Sequence, residues 1–183
     1  RAVILTGKYG HSINCYGHNG NAPAKVQSLP VILERSGYRT GQCGKLHVNP
    51  ESVFHFQNYF KADSRNGYEM AEACRNFIES ESDAPFFLYF CPIDPHRCGN
   101  TGYNLPYEPN MFGNLPEGYR NIQGRKYSPE EVEIPYFLPD TPAVRAEMAQ
   151  YCESVDRFDE GLGHLIDILK KSGKYDNTLI IFM

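Results

Sequence analysis

The chain has 183 residues, enough for one domain with a sizeable core or a large piece of one. Its 18 Lys and Arg against 22 Asp and Glu leave a formal charge of -4 with no basic run; this excludes a surface built to wrap nucleic acid and still allows a small anion in a pocket. No segment approaches the roughly 20 apolar residues of a bilayer span, the first residues lack a signal-peptide pattern, and both ends read as cut.

In chain order, Arg1 precedes an apolar helical turn that closes on Thr6 and Gly7. Ser28 as a cap, Pro30 in the first turn and Gly37 as a stop predict a short helix. The stretch "YRTGQCGK" reads as a strand that delivers "GKLH", Gly44 to His47. If that end is extended, Lys45 and His47 point to one side and bring a cation and a titratable imidazole together. A surface lysine beside an incidental histidine fits the same residues. Met70, Ala73, Cys74, Phe77 and Ile78 recur at helical spacing and predict a helix from about Tyr68 to Glu81.

Phe86 to Phe90 form a continuous apolar strand that runs into Asp94, Pro95, His96 and Arg97. Pro95 restricts Asp94 to an extended conformation. His96 suits a proton donor or an anion ligand and Asp94 suits its orienter, although a plain Asp-Pro turn is equally consistent. Residues 92–140 hold no sustained period and read as one long irregular insertion. Thr141 and Pro142 open a helix that runs to Gly173, with Val144, Met148, Tyr151, Val155, Phe158, Leu162, Leu165 and Leu169 as its apolar stripe. The terminal "NTLIIFM" reads as a second apolar strand.

Continuous apolar strands are covered on both faces, and strands separated by helices need crossover connections, so the expected fold is α/β with a mainly parallel sheet between helix layers. In such sheets ligands collect outside the carboxyl ends of the strands, where "GKLH" and "DPHR" both lie. The six cysteines show no C-x-x-C spacing and read as buried or free thiols. No N-x-S/T acceptor occurs.

The sequence resembles the sulfatase family of the alkaline-phosphatase-like superfamily. "RAVILTG" matches the second half of the signature C-x-P-S-R-x-x-x-L-T-G with Arg1 as its arginine, "GKLH" matches G-K-x-H, and His96 stands where a later family histidine follows the next core strand. "DNTLIIFM" stops just before the place of S-D-H-G or S-D-N-G. The phrases "QSLPVIL", "GYRTGQCGKLHVNPE", "PFFLYFCPIDPHRCG" and "IPYFLPDTPAVRAEM" are similar to the sulfamidase branch, which acts on N-sulfated glucosamine of heparan sulfate and heparin.

The resemblance implies a three-layer sandwich of which residues 1–183 are part of one catalytic domain, truncated at both ends. It implies a formylglycine nucleophile, made from a cysteine or serine before Arg1, and a divalent cation, usually calcium, with every metal ligand outside this chain. Arg1 would hold and activate the formylglycine hydrate, Lys45 would bind sulfate oxygens, and His47 would assist proton traffic at the nucleophile. His96 would sit near the leaving group, with Asp94 and Arg97 helping to recognise the sugar. None of the six cysteines lies in C-x-P-S-R, so none is the expected nucleophile, and no cysteine near Pro109 and Asn110 offers Cys98 the family's disulfide partner.

The implied partner is a sulfated glycosaminoglycan saccharide, with neither nucleic acid nor membrane, and a homodimer stays open. The implied home is the periplasm or exterior of a bacterium, or an animal lysosome, and the isolated chain is expected to be inactive. Two alternatives remain: an O-sulfatase or phosphate or phosphonate ester hydrolase of the same superfamily, and a glycan-binding relative that has lost catalysis.

Overall fold

The computed structural model describes residues 1–17, 20–98 and 110–183, so residues 99–109 of the irregular stretch, and Pro109 with them, lie outside the described residues. Among the described residues four α-helices are formed: α1 (Ala2–Thr6), α2 (Leu29–Arg35), α3 (Gly67–Glu79) and α4 (Pro142–Lys171). Three strands, β1 (Arg39–Gly44), β2 (Asn58–Phe60) and β3 (Phe86–Cys91), make a sheet in the order β2-β1-β3. Both pairings are parallel, with β1 and β3 in register from Arg39 opposite Phe86 to Gly44 opposite Cys91. Between β3 and α4, residues 92–98 and 110–140 form no helix or strand.

Side chains alternate along a strand, and β3 uses both faces. Phe86, Leu88 and Phe90 pack with Met70, Cys74 and Phe77 of α3 and Ile168 of α4. Phe87 and Tyr89 face the other way, against Leu5, Ile13, Val53 and Phe54. A strand covered on both sides has no polar face, which is why "FFLYF" carries no alternation.

Helix α3 is capped by Asn66, whose side chain accepts from Glu69 N at 3.1 Å, and α4 by Thr141, which accepts from Val144 N at 3.3 Å. Ser28 departs from its expected role. Its hydroxyl does not cap α2 but donates to Val53 O at 2.5 Å, tying the helix start to the loop before β2.

The inward face of α4 also differs from the expected stripe. Its buried positions are Ala149, Gln150, Ser154, Arg157, Gly161, Ile168 and Leu169. Of the apolar positions expected there, only Leu169 is buried, and Tyr151 is exposed. The inner line is polar in its middle because Arg157 meets a buried carboxylate, and it carries a glycine because the helices touch there. A Cβ on Gly161 would lie 2.4 Å from the Cα of Gly67.

That contact sets the sign of a substitution. Alanine in a helix interior is worth about 1 kcal/mol over glycine. Forcing two backbones apart costs about 1–3 kcal/mol, so Gly161→Ala is expected to lower the denaturation midpoint. Gly163→Ala, whose Cβ would meet nothing within 4 Å, is expected to raise it. Equal effects of the two changes would refute the close crossing.

The expected terminal strand is not formed. Residues 178–183 join no ladder although Thr178 has extended dihedrals, because a strand needs a neighbour and none of the described residues pairs with them. Leu179 is 84% exposed, while Phe182 stacks on Phe158 of α4 at 5.9 Å. No helix among the described residues is long and apolar enough to cross a membrane.

A polar contact joins α3 to α4 near their crossing. Glu72 accepts from Arg75 at 2.5 and 2.9 Å, lies 2.6 Å from His164 Nε2, and His164 stacks on Tyr68 at 4.0 Å. Arg75 first and His164 second hold the Glu72 carboxyl down at about 2, below its ordinary 4.5. A depressed carboxylate contributes stability that is complete above the ordinary value and is lost as pH falls through the folded one, here between 4.5 and about 2. The group is a third exposed, so screening keeps the contribution small. Glu72→Gln is expected to flatten the acid loss of thermal midpoint in that window; parallel acid profiles for the two proteins would count against it.

Candidate active site

Strand β1 ends on Gly44, at φ 84°, where a Cβ would lie 2.2 Å from Cys91 O. Only glycine lets the end of β1 pass this close to the end of β3. Lys45 N then donates to Cys91 O at 2.7 Å, which fixes the direction in which the lysine leaves the sheet. His47 takes the left-handed region at φ 52°, so this end is not extended as the alternation argument assumed. Lys45 and His47 still reach one cavity, by a turn rather than by strand geometry.

The cavity encloses about 380 Å³, and Arg1, Gly10, Cys15, Lys45, His47 and Val48 contribute to its wall. Arg1 Nη1 donates to Lys45 O at 2.7 Å and Leu46 O at 3.4 Å, so the residue before α1 is tied to the "GKLH" turn. Among the described residues that line the cavity there is no Asp or Glu. Two cationic side chains and an imidazole without an opposing carboxylate favour an anion.

The turn after β3 separates its residues. His96 is exposed and is not part of that cavity's wall; its N donates to Ile93 O at 2.9 Å and its carbonyl accepts from Arg65 Nη2 at 3.5 Å. Arg97 reaches outward and pairs with Glu147 of α4, which holds its guanidinium pKa above the ordinary value. Asp94 points inward with a side chain 1% exposed. Its Oδ1 accepts from Arg65 Nη1, and its Oδ2 accepts from Arg157 Nε at 2.7 Å.

Around that carboxylate, Phe112 O accepts from Arg65 Nη1 at 2.6 Å and from Arg157 Nη2 at 3.0 Å, and Asn114 Oδ1 accepts from Arg157 Nη1 at 2.7 Å. Sequence reasoning missed Arg65 and Arg157. The one local sign was a charged residue at helical spacing between Ser154 and Gly161, which reads as solvent-facing until its partner is known.

The sulfatase family profile matches residues 1–183. The chain belongs to the sulfatase family. Human N-sulphoglucosamine sulphohydrolase is 37% identical over 197 aligned residues, which cover 100% of this sulfatase chain and 39% of the human protein. This sulfatase chain therefore spans about two fifths of that relative's length. A Bacteroides thetaiotaomicron protein from a locus for the metabolism of multiple glycosaminoglycans superposes with a TM-score of 0.64 at 14% identity, over 94% of this chain and 45% of its own. A solved structure in complex with its substrate D-glucosamine-2-N,6-O-disulfate gives 0.60 at 17%, over 97% and 53%. The fold is the alkaline-phosphatase-like α/β fold of sulfatases.

A formylglycine nucleophile and a divalent cation are expectations from the family resemblance, and the described residues do not test them. No group of three or more His, Cys, Asp or Glu side chains among them is placed to hold a metal ion. All six cysteines are free thiols. Cys74 is buried, and its hydrogen bond with Cys43, followed by burial, pushes its thiol pKa up, away from the reactive thiolate.

Proposed function

We propose that the full-length protein removes sulfate from N-sulfated glucosamine of heparan sulfate or heparin, and that this chain forms the anion-holding wall of its site. The cavity at which Arg1, Lys45 and His47 converge, with no Asp or Glu among the described residues of its wall, carries this reading. The 37% identity to a protein named N-sulphoglucosamine sulphohydrolase supports the substrate. Residues 1–183 are then part of one catalytic domain, with 92–140 an irregular insertion within it.

A formylglycine nucleophile and a divalent cation such as calcium would come from residues other than those described. The reaction converts R-NH-SO3⁻ and water to R-NH3⁺ and sulfate: the sulfur–nitrogen bond breaks, water supplies an oxygen, and the nitrogen gains protons. A sulfuryl group in flight spreads negative charge over its oxygens, which Lys45 and Arg1 stabilise from fixed positions. Arg1 is held by two carbonyls and can turn its remaining donors to the nucleophile side. His47 lines the same cavity and moves protons there.

The glucosamine nitrogen is too basic to leave as an anion, so a proton donor on the leaving side contributes about 10²–10⁴-fold, and His96, exposed beyond the cavity wall at the end of β3, is assigned that role. Arg97 stands beside it on the exposed side, where it meets the sugar. Asp94 acts on the sugar only from behind, because both its oxygens are occupied.

Sulfate release from N-sulfo and 6-O-sulfo glucosamine by the full-length protein tests the reading. Faster release from the N-sulfo sugar is the expected result. Release from the 6-O-sulfo sugar alone, from phosphate esters alone, or saccharide binding without turnover would overturn it.

A further inference from the structure

We infer that Arg65 is a positioning residue for His96, and that Asp94 and Arg157 form the rigid back of the device; this rests on the leaving-group role proposed above. The turn that carries His96 lies outside the sheet ladder, so strand pairing does not set its place. It is pinned at its ends, by Ile93 N to Ser64 O at 2.9 Å and Cys98 N to Met111 O at 3.1 Å. Between those pins one guanidinium spans alternate residues. Arg65 donates to the Asp94 carboxylate, to His96 O at 3.5 Å and to Cys98 Sγ, and it also holds Phe112 O at 2.6 Å.

The guanidinium lies in a built slot. Arg65 has a side chain 11% exposed, and Gly113, at φ 67°, faces it so closely that a Cβ there would lie 2.4 Å from Arg65 Nε. Arg157 takes the other Asp94 oxygen, so the carboxylate cannot swing away and carry Arg65 with it. A planar fork with several donors at fixed angles can grip a side chain and a carbonyl together, which an ammonium cannot. The result is a backbone brace under the histidine that leaves its imidazole exposed at the end of β3.

Proton donation demands placement, and a displacement of about 1 Å costs on the order of 10²-fold. The brace is therefore expected to show in the chemical step more than in binding. In the full-length protein, Arg65→Gln should lower kcat about 10–10²-fold with KM within about threefold, and His96→Ala about 10²–10⁴-fold. If Arg65 acts through His96, the double variant should fall no further than His96→Ala alone. Losses that multiply in the double variant would overturn the inference, as would an unchanged kcat in Arg65→Gln.

A second readout does not need turnover. In protein labelled with 13C at the histidine Cε1 positions, the His96 resonance, assigned by its loss in His96→Ala, should shift or broaden in Arg65→Gln while the other histidine resonances stay. An unmoved His96 resonance would refute the brace. Arg65→Lys keeps a cation for Asp94 without the fork, so it replaces the glutamine variant if that one does not fold, with the same expected loss. If the wild type releases O-sulfate and not N-sulfate, the substrate reading fails while the cycle runs on that ester and still decides the role of Arg65.

Discussion

Lys45→Ala in the full-length protein is expected to lower kcat/KM for its sulfated substrate by about 10²–10³-fold. The lysine leaves the sheet from a backbone N bonded to Cys91 O, so its ammonium reaches the cavity from a fixed root. A unit charge pair at about 4 Å with an effective dielectric near 20 interacts by about 4 kcal/mol, equivalent to about three decades in rate. Arg1 remains when the lysine is removed, and for that reason the loss stops short of abolition.

The sulfate is anionic in the ground state too, so part of the effect is uniform binding and raises KM. The additional charge that develops in the transferring group belongs to the transition state, and kcat is expected to fall further than KM rises. Lys45→Arg should recover activity only in part, because the guanidinium fork does not occupy the position of a compact ammonium. Glu72→Gln, in the contact between α3 and α4, should leave activity at the wild-type level. Steady-state kinetics on one substrate checks all three, and a Lys45→Ala protein within about threefold of wild type would remove Lys45 from the site.

What was legible in the sequence was local. The "GKLH" turn is contiguous, and the parallel three-layer arrangement follows from a strand with no polar face, which β3 confirms by packing Phe86 and Phe87 in opposite directions. Strand β2, three residues long, is too short to raise a period. The terminal apolar run showed the composition of a strand but not the neighbour a strand requires.

The polar interior was hidden for a different reason. Asp94 is separated by 29 residues from Arg65 and by 63 from Arg157, and no local period signals a pairing at that range. A helix whose inner line runs Gln150, Ser154, Arg157, Gly161 scores as outward-facing until the carboxylate that neutralises Arg157 is found. The apolar residues then read as the inner stripe are partly left for other surfaces, as Phe158 is for Phe182.

Asp94→Asn is expected to destabilise the protein by about 3–5 kcal/mol, the range for breaking a buried ion pair by removing one partner. Asparagine keeps the shape but offers one oxygen and one NH2 group, whereas the site has guanidinium donors aimed at both positions. Whichever way the amide turns, a donor faces a donor, and Arg157, at 3% side-chain exposure, keeps an uncompensated charge. Its remaining acceptors, Phe112 O and Asn114 Oδ1, satisfy N–H groups without supplying a counter-charge. The cost is therefore expected to exceed that of a lost neutral hydrogen bond, about 1 kcal/mol. Exposed pairs such as Arg125 with Glu131 contribute less than that when broken. Replacing both, as in Asp94→Leu with Arg157→Met, removes the Arg157 charge together with its partner and leaves only Arg65, at 11% side-chain exposure, without its carboxylate, so the pair should lose less than the sum of the two single changes. Urea unfolding followed by far-ultraviolet circular dichroism measures the series. An Asp94→Asn midpoint close to wild type, or a double variant as damaged as the sum of its parts, would show that the buried carboxylate is not what neutralises Arg157.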